Sequence, residues 1–370
     1  MKISLRPQSD GIALLIVMCA IFVLSILAAG LAFSMKVESR LAIGTDTNQR
    51  LVWLGRSGVE YCRWVLAQER CPNDSLNQQW AGGPGSVCDN TNMAFANPVE
   101  LGDGSFTWKI TDLERFGNIN NPLDAPEITQ ALTLMGVDAG QISVVSDSIQ
   151  DWVQAGDMPR IAGAKDEYYL GLPTPYNCRS APMDDISELL LVKGIWDHPE
   201  IYNPKTYGGN ATSRRPAAFQ RHQLGVGNAP GAVPDYPFGL ADLFTPFSSG
   251  RVNVNTADKN VLQMVLMTTG MDVGTAGNWA DAIIQWRSGP DRIDGTSDDT
   301  PFLGVQQLTA AGVTPAAVAQ LGRLCDVRST TFKVTITARI GTFPPRDFNA
   351  ILYRPPGTRN VQVVRFYWDY

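Results

Sequence analysis

After Trp286 the chain reads SGPDRIDGTSDDTPF, which places four carboxylates, Asp291, Asp294, Asp298 and Asp299, within nine residues around Gly295. Carboxylates this close repel one another unless a hard cation or abundant solvent separates them. Oxygen ligands at uneven spacing are what calcium accepts. The spacing departs from an EF-hand loop, so the expectation is a structural calcium ion in an irregular turn, with a solvated acidic loop as the alternative. A sparser set, Asp157, Asp166 and Glu167 in QAGDMPRIAGAKDEYY, is a second calcium candidate, with Arg160 and Lys165 as competing neutralising charges. Each ion would pin a loop to the helix that carries Trp152 or Trp286.

Other reactive groups are sparse. His198 and His222 are the only histidines, both in an irregular stretch, and no GxSxG, HExxH, GxGxxG or P-loop pattern occurs. A nucleophile or general base has no nameable partner, so an enzyme is not expected. The six cysteines (Cys19, Cys62, Cys71, Cys88, Cys178 and Cys325) show no zinc spacing. Five lie outside the apolar N-terminal run and fit one or two disulfides in an oxidising compartment, with at least one thiol left over. Cys71 with Cys88 is favoured because the two bracket a loop rich in Pro, Gly and Asn; other pairings stay open. The net charge of −6 argues against a phosphate-tracking surface.

The elements that must position these groups come from a duplication. NINNPLDAPEITQALTLMGVD (118–138) parallels NVNTADKNVLQMVLMTTGMD (253–272), and SDSIQDWVQAGD (146–157) parallels ADAIIQWRSGPD (280–291). Trp152 and Trp286 each lie sixteen residues beyond a glycine, Gly136 or Gly270, and each is flanked by aspartates five residues before and after. Gly136, Gly194, Gly270 and Gly312 follow apolar helical runs, where left-handed C-caps are expected, and Asp138 and Asp272 sit at N-cap positions. The repeats span 117–195 and 251–328, joined by a Gly-, Pro- and aromatic-rich linker, 196–250. Strand-forming stretches lie outside them, at 104–116, 331–341 and 360–370, with Phe366, Tyr367 and Trp368 as sheet core.

Residues 11–35 carry no charge, and at about 1.5 Å per residue they can cross a bilayer core. Leu51, Leu54, Val59, Cys62, Val65 and Leu66 then recur as an amphipathic stripe, so one long rod is expected from 12 to about 69, bent near Gly44 or Gly55. A conventional signal peptide is the rival, with small-residue sites at Ala28-Ala29-Gly30 or Gly30-Leu31-Ala32.

A short basic leader, a glycine before an uncharged helix and an amphipathic continuation resemble type IV pilin-like proteins. The chain is similar to the K family of minor pseudopilins in type II secretion systems, as is VNVNTA at 252–257. The resemblance implies that prepilin peptidase cuts between Gly11 and Ile12 and methylates the new N-terminus. Ile16 then takes the fifth mature position, where most pilins have Glu and the K family does not. An intramembrane carboxylate is costly unless paired, and in the family it pairs with the amine of the subunit above, so its absence suits the tip. The implied partners are the I and J minor pseudopilins, the peptidase and the inner-membrane secretion platform, with no nucleic acid.

The expected fold is α+β. It comprises a leader (1–11), a transmembrane helix (12–35), a pilin-like helix and first strand (36–116), an inserted duplicated helical domain of helix-hairpin-helix or SAM-like type (117–328), and closing strands (329–370). The location is the inner membrane, single-pass, with a periplasmic head too wide for a repeating filament position. The alternative is a membrane-anchored periplasmic DNA receptor, since such hairpins bind DNA elsewhere; TLMGVDAG and MTTGMDVG supply no base for it. N-terminal mass spectrometry of the mature protein is expected to read Ile12 first; a start near Leu31 or Phe33 would instead mean signal-peptidase export.

Overall fold

The computed structural model describes residues 10–89, 95–121, 126–207 and 236–368. Residues 1–9 of the expected leader, the side chains of Asp10 and Ile12, and residues 208–235 with His222 lie outside the described set.

Helix α1 (Asp10–Gln68) is one unbroken helix of 59 residues; neither Gly44 nor Gly55 interrupts it. Its apolar first half buries nothing, leaving residues from Leu14 to Met35 open. At the far end Leu51, Leu54, Val59, Cys62, Val65 and Leu66 are all buried, as the amphipathic stripe requires. Gly55 and Gly58 serve close approach rather than bending. A Cβ at Gly55 would stand 2.5 Å from the Phe348 ring, and one at Gly58 would stand 2.7 Å from Ile336.

The face under α1 is an antiparallel sheet of order β1-β2-β7-β8-β9, built from β1 (Val99–Leu101), β2 (Gly104–Asp112), β7 (Thr331–Ile340), β8 (Arg346–Tyr353) and β9 (Gln362–Tyr367). Phe106, Trp108 and Ile110 of β2 alternate inward, as do Phe332, Val334, Ile336 and Ala338 of β7. β2 and β7 pair along their full lengths, from Gly104–Ile340 to Asp112–Phe332, so everything between them is an insertion. β8 falls between the two expected C-terminal strands and was not anticipated. Its residues 348–352 are buried on both faces, which erases the alternation that marks a half-exposed strand.

The insert has its own core, separate from the core between α1 and the sheet. It contains α2 (Pro126–Met135), α3 (Ala139–Val153), α4 (Asp166–Leu170), α5 (Lys259–Met267), α6 (Val273–Arg287) and α7 (Pro315–Leu324). Residues Ile186–Leu191 and Val305–Ala311 wind as 3-10 helix, since so short a segment is readily closed by i→i+3 bonds. Gly136, Gly194, Gly270 and Gly312 all take positive φ, between 80° and 90°, ending their helical segments as left-handed caps.

Two short parallel pairs close the repeats: β3 (Gly117–Asn118) with β4 (Phe244–Thr245), and β5 (Val252–Asn253) with β6 (Cys325–Asp326). The closing strand of the first repeat therefore lies within 196–250, the stretch expected to be only a linker. Phe238, Leu240, Leu243 and Phe244 anchor it in the insert's core.

Candidate functional site

Each repeat opens on Asn-aliphatic-Asn, and both asparagines act on backbone. Asn118 Oδ1 accepts from Asn120 N at 2.8 Å; Asn120 Nδ2 donates to Met183 O at 3.0 Å and its Oδ1 accepts from Met183 N at 2.7 Å. In the second repeat Asn253 Oδ1 accepts from Asn255 N at 2.9 Å, and the Asn255 carboxamide pairs in the same way with Phe302 O (2.9 Å) and Phe302 N (2.8 Å). The second asparagine thus replaces a strand neighbour. The equivalence continues: Asp138 and Asp272 cap α3 and α6 through Gly140 N and Gly274 N, and Glu188 and Gln307 accept from Asp184 N and Leu303 N, each at 2.8 Å. Trp152 and Trp286 therefore occupy the same place near the ends of two 15-residue helices.

The loops beyond these tryptophans diverge. In the first repeat the buried Lys165 ammonium donates to Asp151 O (2.5 Å), Gln154 O (2.7 Å) and Ser180 Oγ (3.1 Å). Asp166 accepts from Cys178 N at 2.6 Å, and Asp157, Asp166 and Glu167 are all exposed. The Lys165 ammonium ties this loop to the end of α3, and among the described residues Asp157, Asp166 and Glu167 do not gather within 4.8 Å of one another.

In the second repeat the buried Arg287 holds Asp294 through Nε–Oδ1 (3.0 Å) and Nη2–Oδ2 (2.6 Å), while its Nη1 donates to Val254 O and Ala257 O. Asp294 is neutralised by that guanidinium and leaves the acidic set. Asp298 accepts from Thr296 Oγ1 (2.7 Å) and Asp291 N (3.1 Å), bonds that hold its carboxyl below the ordinary range. Burial lifts Asp299, whose Oδ2 accepts from Gly295 N at 2.8 Å. Among the described residues, Glu69, Cys71 and Cys88 form the only group of three or more His, Cys, Asp or Glu with ligand atoms within 4.8 Å of one another. Cys71 and Cys88 form a disulfide, so this group is not a metal centre; Cys62, Cys178 and Cys325 are buried free thiols.

A different polar cluster joins the insert to the sheet. Arg354 Nη2 donates to Asp74 Oδ1 (2.7 Å), Asp74 Oδ2 (2.5 Å) and Ser329 O (2.8 Å), with both charged side chains no more than 3% exposed. Asp112, at the end of β2, accepts at Oδ2 from Ser329 Oγ (2.6 Å), Thr256 Oγ1 (2.5 Å) and Asn253 Nδ2 (3.1 Å), and at Oδ1 from Glu114 N (2.8 Å). Asn253 Nδ2 also reaches Asp74 O at 3.0 Å. One asparagine of the second repeat therefore touches the post-stalk loop, β2 and the entry to β7. Burial pushes the Asp112 carboxyl up to about 6 against the hydroxyl bonds of Ser329 and Thr256, and lifts Glu69 to about 7.

Comparison with known proteins points the same way. Residues 110–203, from the end of β2 through the first repeat's 3-10 turn, match the family model of the type II secretion system (T2SS) protein K. Over this stretch the chain resembles the type II secretion system protein K family. Type II secretion system protein K of Pectobacterium carotovorum subsp. carotovorum is 26% identical over 211 residues, covering 52% of this chain and 60% of that protein. The Pseudomonas aeruginosa protein K is 26% identical over 204 residues, covering 51% and 59%. The matches thus span about 60% of these relatives' length. The fold is similar to a chain in the crystal structure of the GspK-GspI-GspJ complex from enterotoxigenic Escherichia coli, with a TM-score of 0.60 at 16% identity over 88% of this chain and 98% of that one.

Sequence reasoning missed Asp74, Asp112, Ser329 and Arg354. Their local contexts carry no motif, and the Asp74–Arg354 pair spans 280 positions. The one available signal was the Asn-x-Asn duplication, which did mark Asn253. A carboxyl raised in the native state binds a proton the unfolded chain does not, so its stabilising contribution is present at low pH and fades as pH rises through about 6. Full-length protein in detergent is therefore expected to gain stability between about pH 7.5 and about pH 5. Asp112→Asn should remove about 1.5 kcal/mol of that gain, read by urea denaturation at the two pH values; an unchanged gain would exclude Asp112 as its source.

Proposed function

We propose that this chain is a minor pseudopilin at the tip of the type II secretion pseudopilus, where it starts or caps the fibre for protein export across the outer membrane. The observation that carries the reading is the stalk: the uncharged, exposed first half of α1 presents Ile16, 61% exposed, where a pilin subunit would present an acid to its upper neighbour. Support also comes from the head, in which a two-repeat helical insert stands outside the pilin-like sheet. The similar solved chain belongs to a complex with GspI and GspJ, which supports I- and J-family pseudopilins as partners. On this reading prepilin peptidase trims the chain before Ile12, the stalk resides in the inner membrane at the secretion platform, and the disulfide-bonded head lies in the periplasm.

Nothing favours the DNA-receptor reading. Residues 117–328 carry 23 acidic against 14 basic side chains, and the hairpin glycines are followed by the capping carboxylates Asp138 and Asp272. Full-length chain in detergent is expected to co-elute with I- and J-family minor pseudopilins. A chain that elutes alone while those two co-elute would sink the proposal.

The acidic turn remains a calcium candidate, with its ligand set narrowed to Asp291, Asp298 and Asp299. All donors are oxygens and Asp298 is held anionic, which fits a hard cation; fewer than three carboxylates converge, so backbone carbonyls and water must complete the shell. Chelator is expected to lower the melting temperature of the wild type and to leave Asp291→Ala/Asp298→Ala unmoved. Equal melting of the wild type with and without chelator would remove calcium from the account.

A further inference from the structure

The two repeats share a frame, yet their equivalent tryptophans meet different fates. We propose that the exposed ring of Trp286 docks an aromatic side chain of a partner protein, presented on a helical turn with a basic residue four positions earlier. The first repeat supplies the template. There Trp152 is 3% exposed, with Tyr169 edge-on at 5.2 Å, Tyr176 at 6.3 Å, and its Nε1 donating to Glu188 Oε2 at 3.3 Å. The covering segment is rooted by Lys165, whose ammonium donates to two carbonyls at the end of α3. It carries Tyr169 on α4 four residues later and is tied down by Tyr176 OH donating to Leu191 O at 2.7 Å.

The second repeat lacks this cover. From Trp152 to its clamp partner Met183 there are 31 positions; from Trp286 to the equivalent Phe302 there are 16. The missing stretch is the one that would bear the tyrosines. Trp286 stacks on Phe302 at 6.3 Å and 17°, but stays 44% exposed, and the same loop exposes Pro290, Ile293 and Leu303. An open tryptophan backed by a second ring, in a loop that exposes three further apolar side chains, has the composition of an interface anchor.

Charge narrows the occupant. Residues 117–328 are acidic by nine charges, and still by seven with a calcium ion in the turn beside Trp286. A partner with a Lys or Arg preceding its aromatic residue satisfies that field and repeats the chemistry by which Lys165 roots its own segment. The inference does not depend on the fibre position, and loss of peptide binding is separable from loss of co-elution with I- and J-family subunits.

The probe is a fluorescein-labelled peptide copying residues 163–177, GAKDEYYLGLPTPYN, titrated with full-length chain in detergent and read by anisotropy. Saturable binding is expected. Trp286→Ala should weaken it at least about tenfold, and Trp286→Phe should retain most of it. Tyr169→Ala or Lys165→Glu within the peptide should abolish it. An unchanged melting temperature for Trp286→Ala certifies its fold, since the ring is open in the native state. Absence of saturable binding below about 1 mM, or equal binding by Trp286→Ala, would overturn the proposal.

Discussion

The architecture depends on one buried ion pair and the carboxylate beside it. Asp74 and Arg354 come from opposite ends of the head, and Asp112 from the strand at which the insert departs. The insert is joined covalently to the sheet only through the crossings after β2 and before β7, which by themselves would allow it to swing. Asn253, Ser329 and Thr256 convert those crossings into a fixed angle by bonding the same carboxylates. Burying such charges sets a large desolvation cost against their attraction, so the pair is better regarded as specifying one arrangement than as adding stability. Removing either partner would strand the other in the interior, which makes the arrangement all-or-none.

Within the insert, duplication supplies a common frame and divergence supplies individual locks. The asparagine clamps, aspartate caps and glycine turns are shared. The loops that follow are secured by different cations: a lysine that caps carbonyl groups in one repeat, an arginine that pairs with Asp294 in the other. The lysine brings positive charge to the negative end of α3, where the peptide dipoles welcome it, while the arginine bridges Asp294 to Val254 O and Ala257 O. A built-in cation removes part of the demand for a metal, strongly so in the first repeat.

What could be read in advance follows the range of the interactions. The stalk, its buried stripe, the repeat, the four glycine caps and the outer strands rest on spacings of a few residues, and they were legible. Four things were not. The closing strand at 244–245 is two residues long inside an apparently structureless stretch. β8 is buried on both faces and shows no alternation. Asp294 looked like one of four equivalent acids because nothing in the sequence marks Arg287, seven positions earlier, as its partner. The junction cluster was invisible for the deepest reason: most of its contacts join residues 141 to 280 positions apart and leave no local mark.

The glycines at 55 and 58 give the stalk a property of its own. Glycine weakens a free helix, so the upper part of this rod is least able to stand alone where it lies against Phe348 and Ile336. The sheet in effect splints it. A pull along the rod's axis would then be borne by sliding between helix and strands rather than by bending at a neck, so the stalk and its crown would travel as one lever.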